Sequence, residues 1–80
     1  MQRLEAEWLD YKMRVVPRDA PAIQIKETRR AFYAGAMAFY SQVMSLLEPG
    51  PEPTAKDLQM VGDMVEELIE FNEKVKRGEA

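Results

Sequence analysis

The residues best suited to chemistry in this 80-residue sequence are three closely spaced cations in its first half. Lys26, Arg29 and Arg30 are followed one helical turn later by Tyr33. Arginine presents a planar fork of donors that matches phosphate, while a tyrosine ring can stack on a base and donate a hydrogen bond. Three cations at the start of a helix also oppose its dipole, and a bound anion would offset that cost. The pattern predicts a site for a small phosphorylated anion.

A second interpretation of the same residues needs no ligand. Arg29 and Arg30 can form surface ion pairs with Glu70 and Glu73, each worth about 0–1 kcal/mol. In that case Tyr33 is a core or interface residue.

An amphipathic helix is predicted over residues 2–14. Leu4, Trp8, Tyr11 and Val15 follow the spacing of one helical face. A helix of this length is marginal alone in water, so this face is expected to dock on the rest of the molecule or on a neighbouring molecule. Trp8 then either packs as core or, with Tyr11, forms a wall of the ligand site.

The composition excludes most catalysis. The sequence has no histidine and no cysteine, so it lacks the usual proton carrier at neutral pH, the thiolate nucleophile and the commonest metal ligand. Ser41 and Ser45 have no activating base. Glu66 and Glu70 are one turn apart, but a solvated helix face is the simpler interpretation. We predict no catalytic residues, no metal site and no cofactor, and therefore a protein that is not an enzyme.

The second predicted helix covers residues 21–48 and is apolar on nearly every side. In the range 31–43 the only polar residues besides tyrosine are Ser41 and Gln42. One neighbouring helix cannot cover such a circumference. We therefore expect further copies of the chain to pack against it in a symmetric homo-oligomer.

A Pro-rich turn is predicted at residues 49–53, followed by a third helix over residues 55–77. Thr54 and Asp57 have the spacing of a capping box, and Gly78 is a helix stop. The expected inner stripe of this helix comprises Leu58, Val61, Val65, Leu68 and Val75.

Together these elements predict one all-α domain over residues 1–80. A short N-terminal helix precedes an antiparallel hairpin of two long helices, assembled as a homo-oligomeric helical bundle. The hairpin would bring the start of the second helix beside the cations that end the third.

No apolar run approaches the roughly 20 residues that span a bilayer, so we expect a soluble protein without a membrane partner. The net charge of −3 argues against DNA or RNA as a partner.

Two segments carry a resemblance to known proteins. RRAFYAGA at residues 29–36 and LEPGPEPT at residues 47–54 resemble a pattern in small uncharacterised helical proteins of tailed phages and prophages. The three-helix plan is also similar in size and architecture to phage sponge proteins, which are oligomers that sequester nucleotide signals of bacterial anti-phage defence. The resemblance implies a phage protein in the cytoplasm of an infected bacterial host.

The leading hypothesis is a non-enzymatic, phage-encoded homo-oligomer that sequesters a small phosphorylated nucleotide immune signal. Its phosphate would contact Lys26, Arg29 and Arg30, and its base would stack on Tyr33 together with Trp8 or Tyr11. The alternative is a protein-interaction module that inhibits a host enzyme or scaffolds phage assembly through methionine and aromatic side chains.

Overall fold

A computed structural model describes residues 2–47, 52 and 54–80, and these residues form three α-helices without a strand. The helices are α1 (Arg3–Val15), α2 (Ala22–Leu47) and α3 (Ala55–Lys76). The all-α prediction is confirmed, and the observed ends differ from the predicted ones by at most one residue. Residue 48 and, apart from Glu52, the predicted turn at residues 49–53 lie outside the described residues. The chain divides into two compact units, Met1–Ser41 and Gln42–Ala80.

In the first unit, prolines set the boundary between α1 and α2. Val16, which precedes Pro17, has an extended backbone with φ −82° and ψ 127°, as expected because proline disfavours helical geometry in the residue before it. The Ala20 N–H then donates to the Pro17 carbonyl at 3.1 Å. The Pro21 carbonyl accepts the first helical bond of α2, from the Ile25 N–H at 3.1 Å. A short turn therefore joins the two helices.

The core of the first unit is an aromatic cluster built around Trp8, which is only 2% exposed. The Trp8 ring lies 6.2 Å from the Tyr11 ring and 5.6 Å from the Phe32 ring, measured between centroids. Tyr11 also lies 5.7 Å from Phe32, and Phe32 meets Tyr33 edge-on at 5.9 Å. These distances suit favourable aromatic pairs. They confirm that the Trp8 and Tyr11 face of α1 docks on α2.

In the second unit, α3 has the ends that the sequence predicted. The Asp57 N–H donates to Thr54 Oγ1 at 3.1 Å, and the Thr54 N–H donates to Asp57 Oδ2 at 3.0 Å, which completes the capping box. At the other end Gly78 has φ 73°, a left-handed conformation that favours glycine. The Glu79 N–H donates to the Lys74 carbonyl at 2.9 Å, as in a Schellman motif.

The apolar side chains of α3 are mostly uncovered. Val61 and Met64 are half-buried, but every residue from Val65 to Ala80 is exposed. Of the predicted inner stripe only Val61 is half-buried, and Leu58, Val65, Leu68 and Val75 are exposed. The local pattern specified an apolar face correctly, and most of this face is exposed in the described residues.

Because Trp8 is at the centre of the aromatic cluster, its replacement should remove the contact that holds the first unit together. We expect Trp8→Ala to lower the free energy of unfolding by about 3–5 kcal/mol, the usual effect of deleting a buried tryptophan side chain. Met13→Ala, on the same helix, is the control, because Met13 is 86% exposed and its loss should cost less than about 0.5 kcal/mol. Urea unfolding followed by circular dichroism measures both. Equal midpoints for the two variants would contradict this account of the core.

Candidate functional site

The side chains of Glu5, Arg29 and Tyr33 form a polar cluster beside the aromatic core, called here the Glu5 cluster. Arg29 Nη2 donates to Glu5 Oε2 at 2.6 Å, and the Tyr33 hydroxyl donates to the same oxygen at 2.9 Å. The Arg29 guanidinium carbon also lies 4.9 Å from the centre of the Tyr33 ring, a cation–π distance. Arg29 and Tyr33 are one turn apart on α2, while Glu5 is on α1. The cluster therefore connects the two helices.

These contacts change the acidity of all three groups. The pKa of Glu5 is lowered, first because Arg29 donates a hydrogen bond to the carboxylate and second because Tyr33 does. The carboxylate in turn raises the pKa of Arg29. The pKa of Tyr33 is raised, first by partial burial and then by the hydrogen bond to Glu5. At neutral pH the cluster thus holds a carboxylate, a guanidinium and a neutral phenol.

An open cleft of about 510 Å³ lies against the Glu5 cluster. Besides the three members of the cluster it is lined by Gln2, Arg3 and Leu4. A guanidinium has five N–H donors, and the Arg29 side chain is 50% exposed, so donors remain beyond the one that Glu5 accepts. An anion in this cleft would meet two arginines, but it would also meet the Glu5 carboxylate. Anion binding therefore requires Glu5 to move aside or to share Arg29.

Lys26 and Arg30, the other two predicted phosphate contacts, do not line this cleft. Both are exposed on α2. Arg30 Nη1 forms a long ion pair of 3.5 Å with Glu27 Oε1, three residues earlier on the same helix. The structure thus brings only one of the three predicted cations into contact with Tyr33.

Both arginines have acidic partners among the described residues of the first unit. Arg29 pairs with Glu5 and Arg30 with Glu27, and pairing with Glu70 or Glu73 stays a prediction. The physical reason is proximity. Glu27 is within one turn on α2, and docking of α1 brings Glu5 to Arg29.

The two aromatic residues predicted to stack on a ligand are placed differently from each other. Trp8, whose ring the sequence predicts to stack on a base, is buried in the aromatic cluster and packs against Tyr11 and Phe32. Tyr11 is half-buried and lines a separate hollow of about 270 Å³ together with Thr28, Ala31 and Phe32. Within the candidate cleft, Tyr33 is the aromatic residue present.

Sequence reasoning missed Glu5 and Arg3. Glu5 lies three residues before Trp8 on α1, beside the face that docks, and this position was a readable sign that its carboxylate meets the partner helix. The identity of the partner depends on how α1 crosses α2, which the sequence does not give. Arg3 lines the cleft because it is in the first turn of α1, next to Leu4 and Glu5.

The described residues lack two other kinds of functional feature. Within the described residues, no group of three or more acidic, histidine or cysteine side chains is arranged to hold a metal ion. None of α1, α2 and α3 combines the length and the apolar character needed to cross a bilayer.

In the described residues, fold and site define a small three-helix protein with a polar cluster between α1 and α2. No protein-family model matches the chain, and no curated protein or solved structure is significantly similar to it. Its function is therefore inferred from the residues and their geometry.

The lowered pKa of Glu5 predicts a pH dependence with a definite sign. Below the ordinary pKa of 4.5, the unfolded chain binds a proton at Glu5 more readily than the folded chain does. The stabilisation from this carboxylate is therefore present above that pKa and is lost as the pH falls through the lower folded value. We expect Glu5→Gln to weaken the decrease in urea midpoint between neutral and strongly acidic pH.

Glu7→Gln is the matched control, because Glu7 is exposed on the same helix and the substitution is identical. It should keep the pH dependence of the unaltered chain. If Glu5→Gln and Glu7→Gln gave the same profile, the described contacts of Glu5 would not stabilise the folded state.

Proposed function

We propose that this chain is a non-enzymatic protein-interaction module that assembles with copies of itself and binds a protein partner through exposed methionine and aromatic side chains. The proposal rests on the small size of the hydrophobic core in the described residues. Trp8 is the one buried hydrophobic residue described, whereas sixteen large hydrophobic side chains are exposed. Single exposed apolar residues are normal, but contiguous apolar surface marks interaction sites.

Self-assembly is supported by the apolar surface of α3. Leu58, Leu68 and Phe71 are each more than half exposed. In the proposed assembly α2 and α3 form an antiparallel hairpin, and hairpins from several copies build a helical bundle. Each copy then covers apolar surface of its neighbours, which offsets the weak core of the lone chain.

Binding of a different protein is supported by the surface that α2 presents in the first unit. Met37, Phe39 and Tyr40 lie within one turn of one another and are all exposed. Methionine adapts to irregular partner surfaces, and aromatic residues contribute much of the binding energy in protein interfaces. This composition suits inhibition of a host enzyme or scaffolding of an assembly.

Light scattering of the unaltered chain tests the first half of the proposal. We expect a mass that is a multiple of 9.2 kDa, because isolated chains leave their apolar faces in water. A folded chain that stays monomeric at every concentration would contradict self-assembly.

Affinity capture from host lysate tests the second half. The double variant Met37→Lys/Tyr40→Lys should lose the captured partner, while Gln42→Lys, a polar position nearby on α2, should retain it. Because all three positions are exposed, the variants should fold. Capture that survives the double variant would place the partner elsewhere.

Sequestration of a small phosphorylated nucleotide by a phage anti-defence protein is the second candidate. It is favoured by the cleft in which Arg3, Arg29 and Tyr33 meet. There the guanidinium groups would contact phosphate and the tyrosine ring would stack on a base. In this proposal the nucleotide displaces Glu5 from Arg29.

Calorimetric titration with cyclic dinucleotides and cyclic ADP-ribose isomers tests this candidate. Arg29→Ala should weaken binding at least about tenfold, as expected when one charge-assisted phosphate contact is lost. Arg30→Ala should bind like the unaltered chain, because Arg30 is outside the cleft. Negligible heats for the unaltered chain with every ligand would reject the candidate.

A further inference from the structure

The helix α3 carries a seam of regularly spaced residues, called here the α3 seam. Its members follow one another at alternating intervals of three and four residues, which is the a/d spacing of a coiled coil. They are Leu58, Val61, Val65, Leu68, Asn72 and Val75. Leu58, Val65 and Asn72 occupy the a positions of this repeat.

The α3 seam is largely uncovered in the described chain. Leu58 is 63% exposed and Leu68 57% exposed, whereas Val61 is half-buried. Ile69 and Phe71 flank the seam and are also exposed. The apolar surface therefore covers about half of the helix circumference, more than the stripe of roughly 100° typical of a surface helix.

The charges of α3 are arranged so that two copies can pair along this seam. All but one of its acidic residues occupy b, c or f positions of the same repeat, on the opposite side of the helix. They are Asp63, Glu66, Glu67, Glu70 and Glu73. Seam-to-seam packing would thus oppose no like charges, and the carboxylates would stay in water.

Asn72 is the one polar member of the α3 seam. A single asparagine at an a position favours two helices in register, because the two amides can then hydrogen-bond each other instead of being buried against apolar groups. In an antiparallel pairing centred between Val65 and Leu68, Asn72 would face Val61 instead. The asparagine therefore favours the parallel arrangement.

The length of the α3 seam also suits such a contact. It runs over 18 residues, from Leu58 to Val75, which is about 27 Å of helix at 1.5 Å per residue. A second copy of this chain carries the same length, the same spacing and the same asparagine, so it is an occupant that matches the seam.

We propose that α3 of one chain packs against α3 of a second copy, parallel and in register, along the α3 seam, with the two Asn72 side chains facing each other. This pairing rests on the self-assembly proposed above and assigns it a surface. In the proposed bundle the α3 seam faces the second copy, and α2 of the same chain packs beside the seam. It is distinct from the α2 surface proposed for a protein partner and from the cleft at the Glu5 cluster.

Disulfide trapping tests the pairing directly, because the chain contains no cysteine. The variants Asn72→Cys and Val65→Cys each place one thiol on the seam, and Glu66→Cys places one on the opposite side as the matched control. In a parallel pair, identical a positions come close enough for a disulfide, whose Cα atoms are typically about 5.5–6 Å apart. Mild oxidation of dilute protein should cross-link the two seam variants at least about tenfold faster than Glu66→Cys.

Light scattering of the unaltered chain separates failure of this pairing from failure of self-assembly. A multimer in which both seam variants cross-link no faster than Glu66→Cys would overturn the α3 pairing and leave self-assembly standing. A second outcome would also overturn the α3 pairing proposed here. In it, Val61→Cys cross-links rapidly to Asn72→Cys when the two variants are mixed, whereas Asn72→Cys does not cross-link to itself. That pattern indicates an antiparallel pair. A monomer would overturn both proposals.

Discussion

Packing of Trp8 against Phe32 is the contact on which the first unit depends. A helix as short as α1 is marginal alone in water, so its structure requires a docking surface. The aromatic cluster supplies that surface, and the Glu5 cluster beside it fixes which side of α1 meets α2 because one carboxylate oxygen accepts two hydrogen bonds from α2. Apolar burial thus supplies most of the attraction, and the polar contacts select one orientation. The candidate cleft exists only because both are in place.

The ion pair between Arg29 and Glu5 has two possible roles, one in the fold and one at the site. Arg29 holds α1 in place and is also the cation best placed to meet a ligand in the cleft. A ligand anion would compete with Glu5, so binding there would be coupled to the docking of α1 on α2.

The second unit shows the opposite balance. Its helix ends are well satisfied by the cap at Thr54 and the turn at Gly78, but most of the apolar face of α3 is exposed.

The features that sequence reasoning recovered are those set by neighbours along the chain. The helix ends follow from prolines, from the capping box and from Gly78, and the docking face of α1 follows from the spacing of Trp8 and Tyr11. Features that depend on helix crossing were not recovered. The pairing of Glu5 with Arg29 joins residues far apart in sequence, and the burial of Trp8 depends on the same docking of α1 on α2. The face of α3 was identified as apolar, but periodicity does not say whether the same chain covers it.

Tryptophan fluorescence and circular dichroism report on different parts of this chain. Trp8 is the sole tryptophan of the chain and lies in the first unit, so its emission reports the local environment of the aromatic cluster. Helical ellipticity, in contrast, sums contributions from α1, α2 and α3. Melting of α3 alone would change the ellipticity while leaving the emission maximum of the indole in place. Coincidence of the two signals would therefore indicate that the units melt as one cooperative structure.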